Sequence, residues 1–401
     1  MTARPRILIT GPAPPPPGGI ASVIQTIVES ELRERYEFTR FATSVALRDM
    51  RRRSVRLLNA ALARSFGFDG AVNLESRAKL AGYARALEPR PDLAHIHTSH
   101  AYDFWLGAVM VRMAQRRGIP ALLHVHGLFD VVVPTWSRVK QAGFRRALRV
   151  PDKVIVLSEG WQRWFAGQMD PARIEVLRNP VDVQRFRPRT QAARDGLVRL
   201  LFVGTNEPVR KGGYDILAAA PAVIAAAPQV RFVFVGEDTE HLEATRVRAT
   251  PLEPYFEFTG SKSAQQIVPD FENADVLLLP SYSEGLPIAL LEGMAAALPI
   301  VACPVNGIPE AMAEPDNGIF VPPGDAAALA RAILALVGDP ERRARTGIAN
   351  RHKALQEFDR SHYARALGAI YERALSEASR GSPRSGAQIP TQRLDPGDLH
   401  A

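Results

Sequence analysis

Two glutamates eight residues apart, Glu284 and Glu292, mark one passage from strand to helix, and two adjacent cations, Arg210 and Lys211, mark another. Cations beside a glycine at the C-terminal end of a strand neutralise a departing diphosphate and make it a better leaving group. The run Asp275 to Pro304 around the glutamates reads as buried strand, loop, helix and second buried strand. Val276 to Leu279 is closed by Pro280 and Ile300 to Cys303 by Pro304, the look of central parallel strands. Pro287 suits the first position of the intervening helix, where a missing N–H costs nothing. Leu286 and Ile288 to Leu290 then offer unpaired N–H groups at the positive end of the helix dipole, a site for phosphate. Glu292 would stand about 12 Å beyond Glu284 if all eight residues were helical. One carboxylate would face the far side of the phosphate and the other its near side, which suits a nucleotide joined through a diphosphate to a sugar. Two solvated glutamates on a helix surface are the plainer alternative.

These side chains need strand ends to position them, and other strand ends add candidates. Arg6 to Thr10 is a short apolar strand, followed by GPAPPPPGGIASVIQTIVESEL, a proline-stiffened loop running into a helix. Gly18 and Gly19 stand where backbone approaches something closely, or where the chain simply turns. In VRLLFVGTNEPVRKGGYDIL a strand ends at Gly204, and Arg210, Lys211 and Gly212 lead from its loop into a helix. The strand in IPALLHVHGLFD ends in His124, His126 and Gly127. Alternation sends both histidines to one side, and His126 lies nearer the C-terminal end, where ligands sit in open α/β sheets. His95, His97, His100, His124 and His126 are also metal-ligand types. They come from separate strands and loops without a ligand spacing or a companion carboxylate motif, which argues against a metal.

The segment SEGLPIALLE resembles the Glu-x7-Glu motif of retaining glycosyltransferases of family 4. PSYSEGLPIALLEGMAAALPIVA, NGIPE and DNGIFVPPGD carry the likeness from Ala274 to Asp325, and Asn179, Pro180, Val181 and Asp182, with Phe186 and Pro188, are similar to the family's hinge. The resemblance implies an α/β protein of GT-B fold, two doubly wound Rossmann-like domains facing across a cleft. It implies that Glu284 faces the donor sugar, that Glu292 hydrogen-bonds the ribose, that His126 contacts the sugar and that Arg210 and Lys211 hold the diphosphate. Gly18, Gly19, Gly204, Gly285, Leu286 and Ile288 would complete the donor site. Many members carry an arginine directly after the glycine that ends this strand; Thr205 stands there instead, leaving Arg210 and Lys211 with less help. The implied reaction is retaining, metal-independent transfer from a nucleotide-diphosphate sugar to a hydroxyl of a saccharide or lipid-linked saccharide, in envelope or exopolysaccharide biosynthesis. No cofactor beyond that co-substrate is expected. A non-catalytic protein of the same fold, sensing a sugar nucleotide or serving as an assembly partner, is the alternative.

A chain of 401 residues is long for one core. The expected division is an acceptor-binding domain over 1–189, a nucleotide-sugar domain over 196–355, a C-terminal helix over 356–378 packing back on the first domain, and a disordered tail over 379–401. A single cysteine, Cys303 in an apolar run, excludes a disulfide framework. With no export signal or spanning apolar run, the expected location is cytoplasmic. The net charge of +8 divides into +14 for residues 1–190 and −6 for the rest. Such asymmetry favours an anionic partner for the first half. Arg48, Arg51, Arg52, Arg53, Arg56 and Arg64 beside apolar residues at helical spacing fit an anionic membrane surface, or an ordinary surface helix with solvated arginines. Nucleic acid is disfavoured: the basic half lacks interleaved aromatics, a recognition helix and a zinc pattern.

Overall fold

The computed structural model describes residues 3–13, 18–43, 74–99, 102–188, 196–204, 208–236 and 242–380. Short apolar runs become strands here because helices cover both faces of each sheet. Leu93–Thr98, Ala121–Val125 and Val276–Leu279 are buried along their whole length.

The first sheet contains β1 (Arg6–Gly11), β2 (Glu37–Ala42), β3 (Leu93–Thr98), β4 (Ala121–Val125), β5 (Lys153–Val156) and β6 (Ile174–Val176), in the spatial order β2-β1-β3-β4-β5-β6. The second contains β7 (Val198–Val203), β8 (Val230–Val235), β9 (Phe256–Phe258), β10 (Val276–Leu279), β11 (Ile300–Ala302) and β12 (Gly318–Phe320), in the order β12-β11-β10-β7-β8-β9. Neighbouring strands pair in parallel in both. Each order reverses once, between β1 and β3 and between β7 and β10. Loops leaving the strand ends on either side of such a reversal diverge to opposite faces and open a crevice. The two crevices face each other. This is the two-domain GT-B arrangement expected from the sequence.

Five helices carry or brace the site: α1 (Gly19–Glu29), α2 (Glu159–Ala166), α3 (Ile288–Ala295), α4 (Ile308–Ala311) and α5 (Arg360–Arg380). The apolar core runs from one sheet to the other through Leu157, Trp161, Leu286 and Ala289. Cys303 is buried behind the second sheet with Phe202, Phe232 and Val301. After the second domain the chain crosses back. Val181 N–H donates to Phe358 C=O at 2.8 Å, and Arg360 N–H donates to Val181 C=O at 3.0 Å. α5 then lies on the first sheet, where Leu367 and Tyr371 join Ile7 and Ile9, and Arg373 pairs with Glu175 at 2.9 Å.

Several sequence expectations are corrected. The C-terminal helix expected over 356–378 begins only at Arg360: the helix Pro340–Lys353 continues as a π-turn through Ala354–Phe358 and stops at Asp359, where the chain pairs with Val181. α5 itself continues to Arg380, past the expected boundary at 378. Pro287 is the residue before α3 rather than its first, with ψ of 130° holding it extended. The arginine-rich stretch 48–64, most of the linker 189–196, Thr205 and residues 381–401 lie outside the described residues. Among the described residues no helix is long and apolar enough to cross a membrane.

Candidate active site

The facing crevices enclose a cavity of about 460 Å³. Gly18, Gly19, His126, Arg210, Lys211, Glu284, Gly285, Leu286, Ile288 and Glu292 all line it. Two helix N-termini meet there, one from each domain: α1 begins at Gly19 with Gly18 extended before it, and α3 begins at Ile288. A Cβ added to Gly19 would lie 3.5 Å from Ile288 Cγ1, so the two termini nearly touch. The leading N–H groups of both helices have no intrahelical partner, though Leu290 N–H donates to Pro287 C=O at 3.1 Å, and the two dipoles point positive ends into one space, which favours an anion. Gly204 departs from expectation. It ends β7 with its N–H on Val235 C=O and is not among the lining residues, because its bare Cα faces the ring of Phe202, 2.0 Å from where a Cβ would stand.

Glu284 sits where the loop after β10 meets the cations after β7. Its carboxyl is buried and accepts from Lys211 Nζ at 2.6 Å and Ser281 Oγ at 3.0 Å, while Arg210 Nη1 lies 3.4 Å from the other oxygen. Arg210 also donates to Ser283 C=O at 2.6 Å. A buried carboxylate is tolerated only with such partners. Glu292 has a different setting on α3. Burial pushes its carboxyl up to about 7, against a smaller opposing pull from Arg185.

The histidines form a grid that the sequence reading did not foresee. His95 and His97 project from one side of β3, and register pairs His97 with His124 on β4. Two His-x-His stretches on adjacent parallel strands therefore stack four imidazoles, with neighbouring ring centroids 4.2 to 5.4 Å apart. His97 Nδ1 is 3.0 Å from His126 Nε2, and His95 Nε2 is 3.3 Å from His124 Nδ1. Tyr371 OH on α5 reaches His95 Nδ1 at 2.7 Å. Burial lowers all four, His95 and His126 to about 3, with the neighbouring imidazoles adding to the effect on His95, His97 and His124. The histidines do come from separate strands, yet the fold brings ring nitrogens of His95, His97 and His124 within 4.8 Å of one another; His100 lies outside the described residues.

Side chains given no site role from the sequence join the domains around Glu284, with Asn179 of the hinge beside them. Asn306, at a positive φ of 47°, accepts from Glu284 N–H at 3.1 Å and Ser283 Oγ at 3.2 Å, and donates to Asp130 of the first domain. Asparagine is among the few residues that tolerate this backbone. Glu310 on α4 accepts from Glu159 N–H at 2.8 Å and Gly160 N–H at 2.7 Å, capping α2 across the cleft. Asn179 Nδ2 donates to Leu286 C=O at 2.7 Å, fastening the crossing to the start of α3. Asn306 and Glu310 lie in the quoted NGIPE, but only the fold shows what they reach.

Comparison with known proteins agrees with this architecture. Residues 17–185 match the family model described as Glycosyltransferase Family 4, and residues 198–339 match Glycosyl transferases group 1. The chain is 30% identical over 294 residues to a phosphatidyl-myo-inositol mannosyltransferase of Mycobacterium leprae, covering 72% of this chain and 75% of that protein. It is 27% identical over 388 residues, 88% of this chain and 94% of the other, to a GDP-mannose-dependent alpha-(1-6)-phosphatidylinositol monomannoside mannosyltransferase of Mycolicibacterium smegmatis. The solved sucrose-phosphate synthase of Thermosynechococcus elongatus superposes with a TM-score of 0.72 at 17% identity, over 93% of this chain and all of that one. Family models over both domains, relatives aligned through most of their length and the shared two-sheet architecture lead to one conclusion: the chain belongs to the family 4 glycosyltransferases of GT-B fold and is a glycosyltransferase.

Proposed function

We propose that the chain moves a sugar, with retention of anomeric configuration and without a metal, from a nucleotide-diphosphate sugar to a hydroxyl of a saccharide or lipid-linked saccharide in envelope or exopolysaccharide biosynthesis. The observation that carries this reading is the convergence of Arg210, Lys211, Glu284, Glu292, His126 and two helix N-termini on one cavity between the domains. The diphosphate lies against Arg210, Lys211 and the first turn of α3, which stabilise the charge that grows as the bond to the sugar breaks. Glu292 binds the ribose, Glu284 faces the sugar, and His126 contacts it from the first domain. The diphosphate leaves from the face by which the acceptor enters, so the anomeric configuration is kept. Relatives named for GDP-mannose and for phosphatidylinositol mannoside transfer support a nucleotide-sugar donor; the acceptor is assigned to the first domain on its net positive charge.

Thermal stability of the purified protein with UDP-, GDP-, ADP- and CMP-sugars and their free nucleotides tests the donor site, because a ligand that binds only the folded state raises Tm. One nucleotide should stabilise the wild type and lose most of its effect on Glu292→Ala. Stabilisation by none at millimolar concentration would sink the reading. Product analysis with the active sugar nucleotide, in chelator, then tests retention and metal independence.

A further inference from the structure

His126 gives one ring nitrogen to His97, and the residue lines the cleft. Its Nε2 is 3.0 Å from His97 Nδ1. Nδ1 is therefore the nitrogen left to meet a ligand. Burial holds both rings neutral at ordinary pH. A neutral imidazole has one N–H, so only one of the two rings donates in this hydrogen bond, and the choice decides where the proton of His126 sits.

The surroundings of His97 make that choice. Its Nε2 is buried and has no hydrogen-bond partner. A buried N–H without an acceptor is rarer than a buried acceptor without a donor, so the proton of His97 belongs on Nδ1. That N–H then donates to Nε2 of His126, and His126 must carry its own proton on Nδ1. The neighbouring pair repeats the pattern. His124 Nε2 is likewise buried and unpartnered, which directs His124 Nδ1–H toward His95 Nε2 and His95 Nδ1–H toward Tyr371. Rings on both sides hold His97 in place, with His95 at 4.2 Å and His124 at 4.8 Å between centroids.

We propose that His97 is a positioning residue that fixes His126 as the Nδ1–H tautomer, so that His126 meets the substrate as a hydrogen-bond donor. A donor in that place recognises an acceptor oxygen such as a sugar hydroxyl, and rejects a group that can only donate. This specificity rests on the reading of the cleft as a sugar site; the tautomer does not.

Long-range ¹H–¹⁵N correlation on the full chain labelled with ¹⁵N-histidine, without ligand, reads the tautomer directly. The expected result is a protonated Nδ1 and an unprotonated Nε2 on His126, and a shift to the Nε2–H form or to averaging in His97→Phe, which keeps a stacking ring. Should His126 carry its proton on Nε2 in the wild type, the proposal is overturned, whatever the variant does. An unchanged His126 spectrum in His97→Phe overturns it equally. With the sugar nucleotide found by the melting panel, His97→Phe should lower kcat roughly tenfold, the loss of about one hydrogen bond. His97→Asn, whose amide can donate, should recover part of both effects. The spectra need no donor, so failure of the donor reading and failure of the tautomer remain separate results.

Discussion

Lys211 Nζ lies 2.6 Å from Glu284 Oε1, and Arg210 approaches the other oxygen at 3.4 Å. The cations assigned to the diphosphate therefore also neutralise the carboxylate assigned to the sugar. A bound diphosphate would have to share them, which brings its negative charge and the sugar next to Glu284 together. Lys211→Met should weaken UDP or GDP binding at least tenfold by titration calorimetry. Urea unfolding should show a loss of about 3 kcal/mol, the range for stripping one partner from a buried ion pair. Unchanged nucleotide affinity would remove Lys211 from the donor site.

Glu292 gives a stability effect of opposite sign. Its carboxyl titrates near 7 in the fold, against 4.5 for an ordinary glutamate. Folding favours the protonated form, so this contribution is complete below pH 4.5, is lost as pH rises through 7, and levels off above. Glu292→Gln should match the wild type near pH 4.5 and exceed it by about 3 kcal/mol at pH 8. Urea midpoints of both proteins across that range provide the check.

The histidine grid makes the fold acid-labile. His95 and His126 are held down to about 3, so they stay neutral in the fold while the unfolded chain protonates near 6.5. Their contribution is present above pH 6.5 and is lost as pH falls toward the folded values, by up to about 1.4 kcal/mol per pH unit for each ring. Stability should fall steeply between pH 6.5 and 5, with a shallower slope in His95→Phe. The slope, rather than the absolute stability, is the readout.

Asn306 and Glu310 tie the Glu284 loop and α4 to the first domain. Replacing Glu310 with alanine removes a carboxylate cap, worth about 1 kcal/mol, from a helix on the opposite side of the cleft. The expected result is a larger radius of gyration by small-angle scattering. Asp130→Ala should act in the same direction, since it removes the acceptor for the Asn306 amide. No change in either variant would mean that apolar contacts through Leu157, Trp161 and Leu286 set the closure.

The strands and most of the cleft residues were legible because they are local. A short apolar run closed by proline or glycine becomes a buried parallel strand, and a glycine or cation just past its end stands beside the crevice. Gly204 fails that rule because Phe202, two residues earlier, folds its ring across the missing side chain, a rotamer that sequence spacing does not specify. The C-terminal helix starts only after Asp359, because that residue pairs with a distant partner, Val181, that no local periodicity announces.

Read alone, the amino-acid sequence determined the two-domain α/β class, the strand ends and the spacing of Glu284 and Glu292, since these follow from patterns within about thirty residues. Only the tertiary structure decided which side chains meet across it. Parallel register set His97 against His124 and left His126 beside His97, and closure of one domain on the other brought Asp130 to Asn306 and Glu310 to α2. Each of those contacts joins residues separated along the chain by a whole strand–helix unit or a whole domain, and a partner at that distance leaves no trace in local spacing.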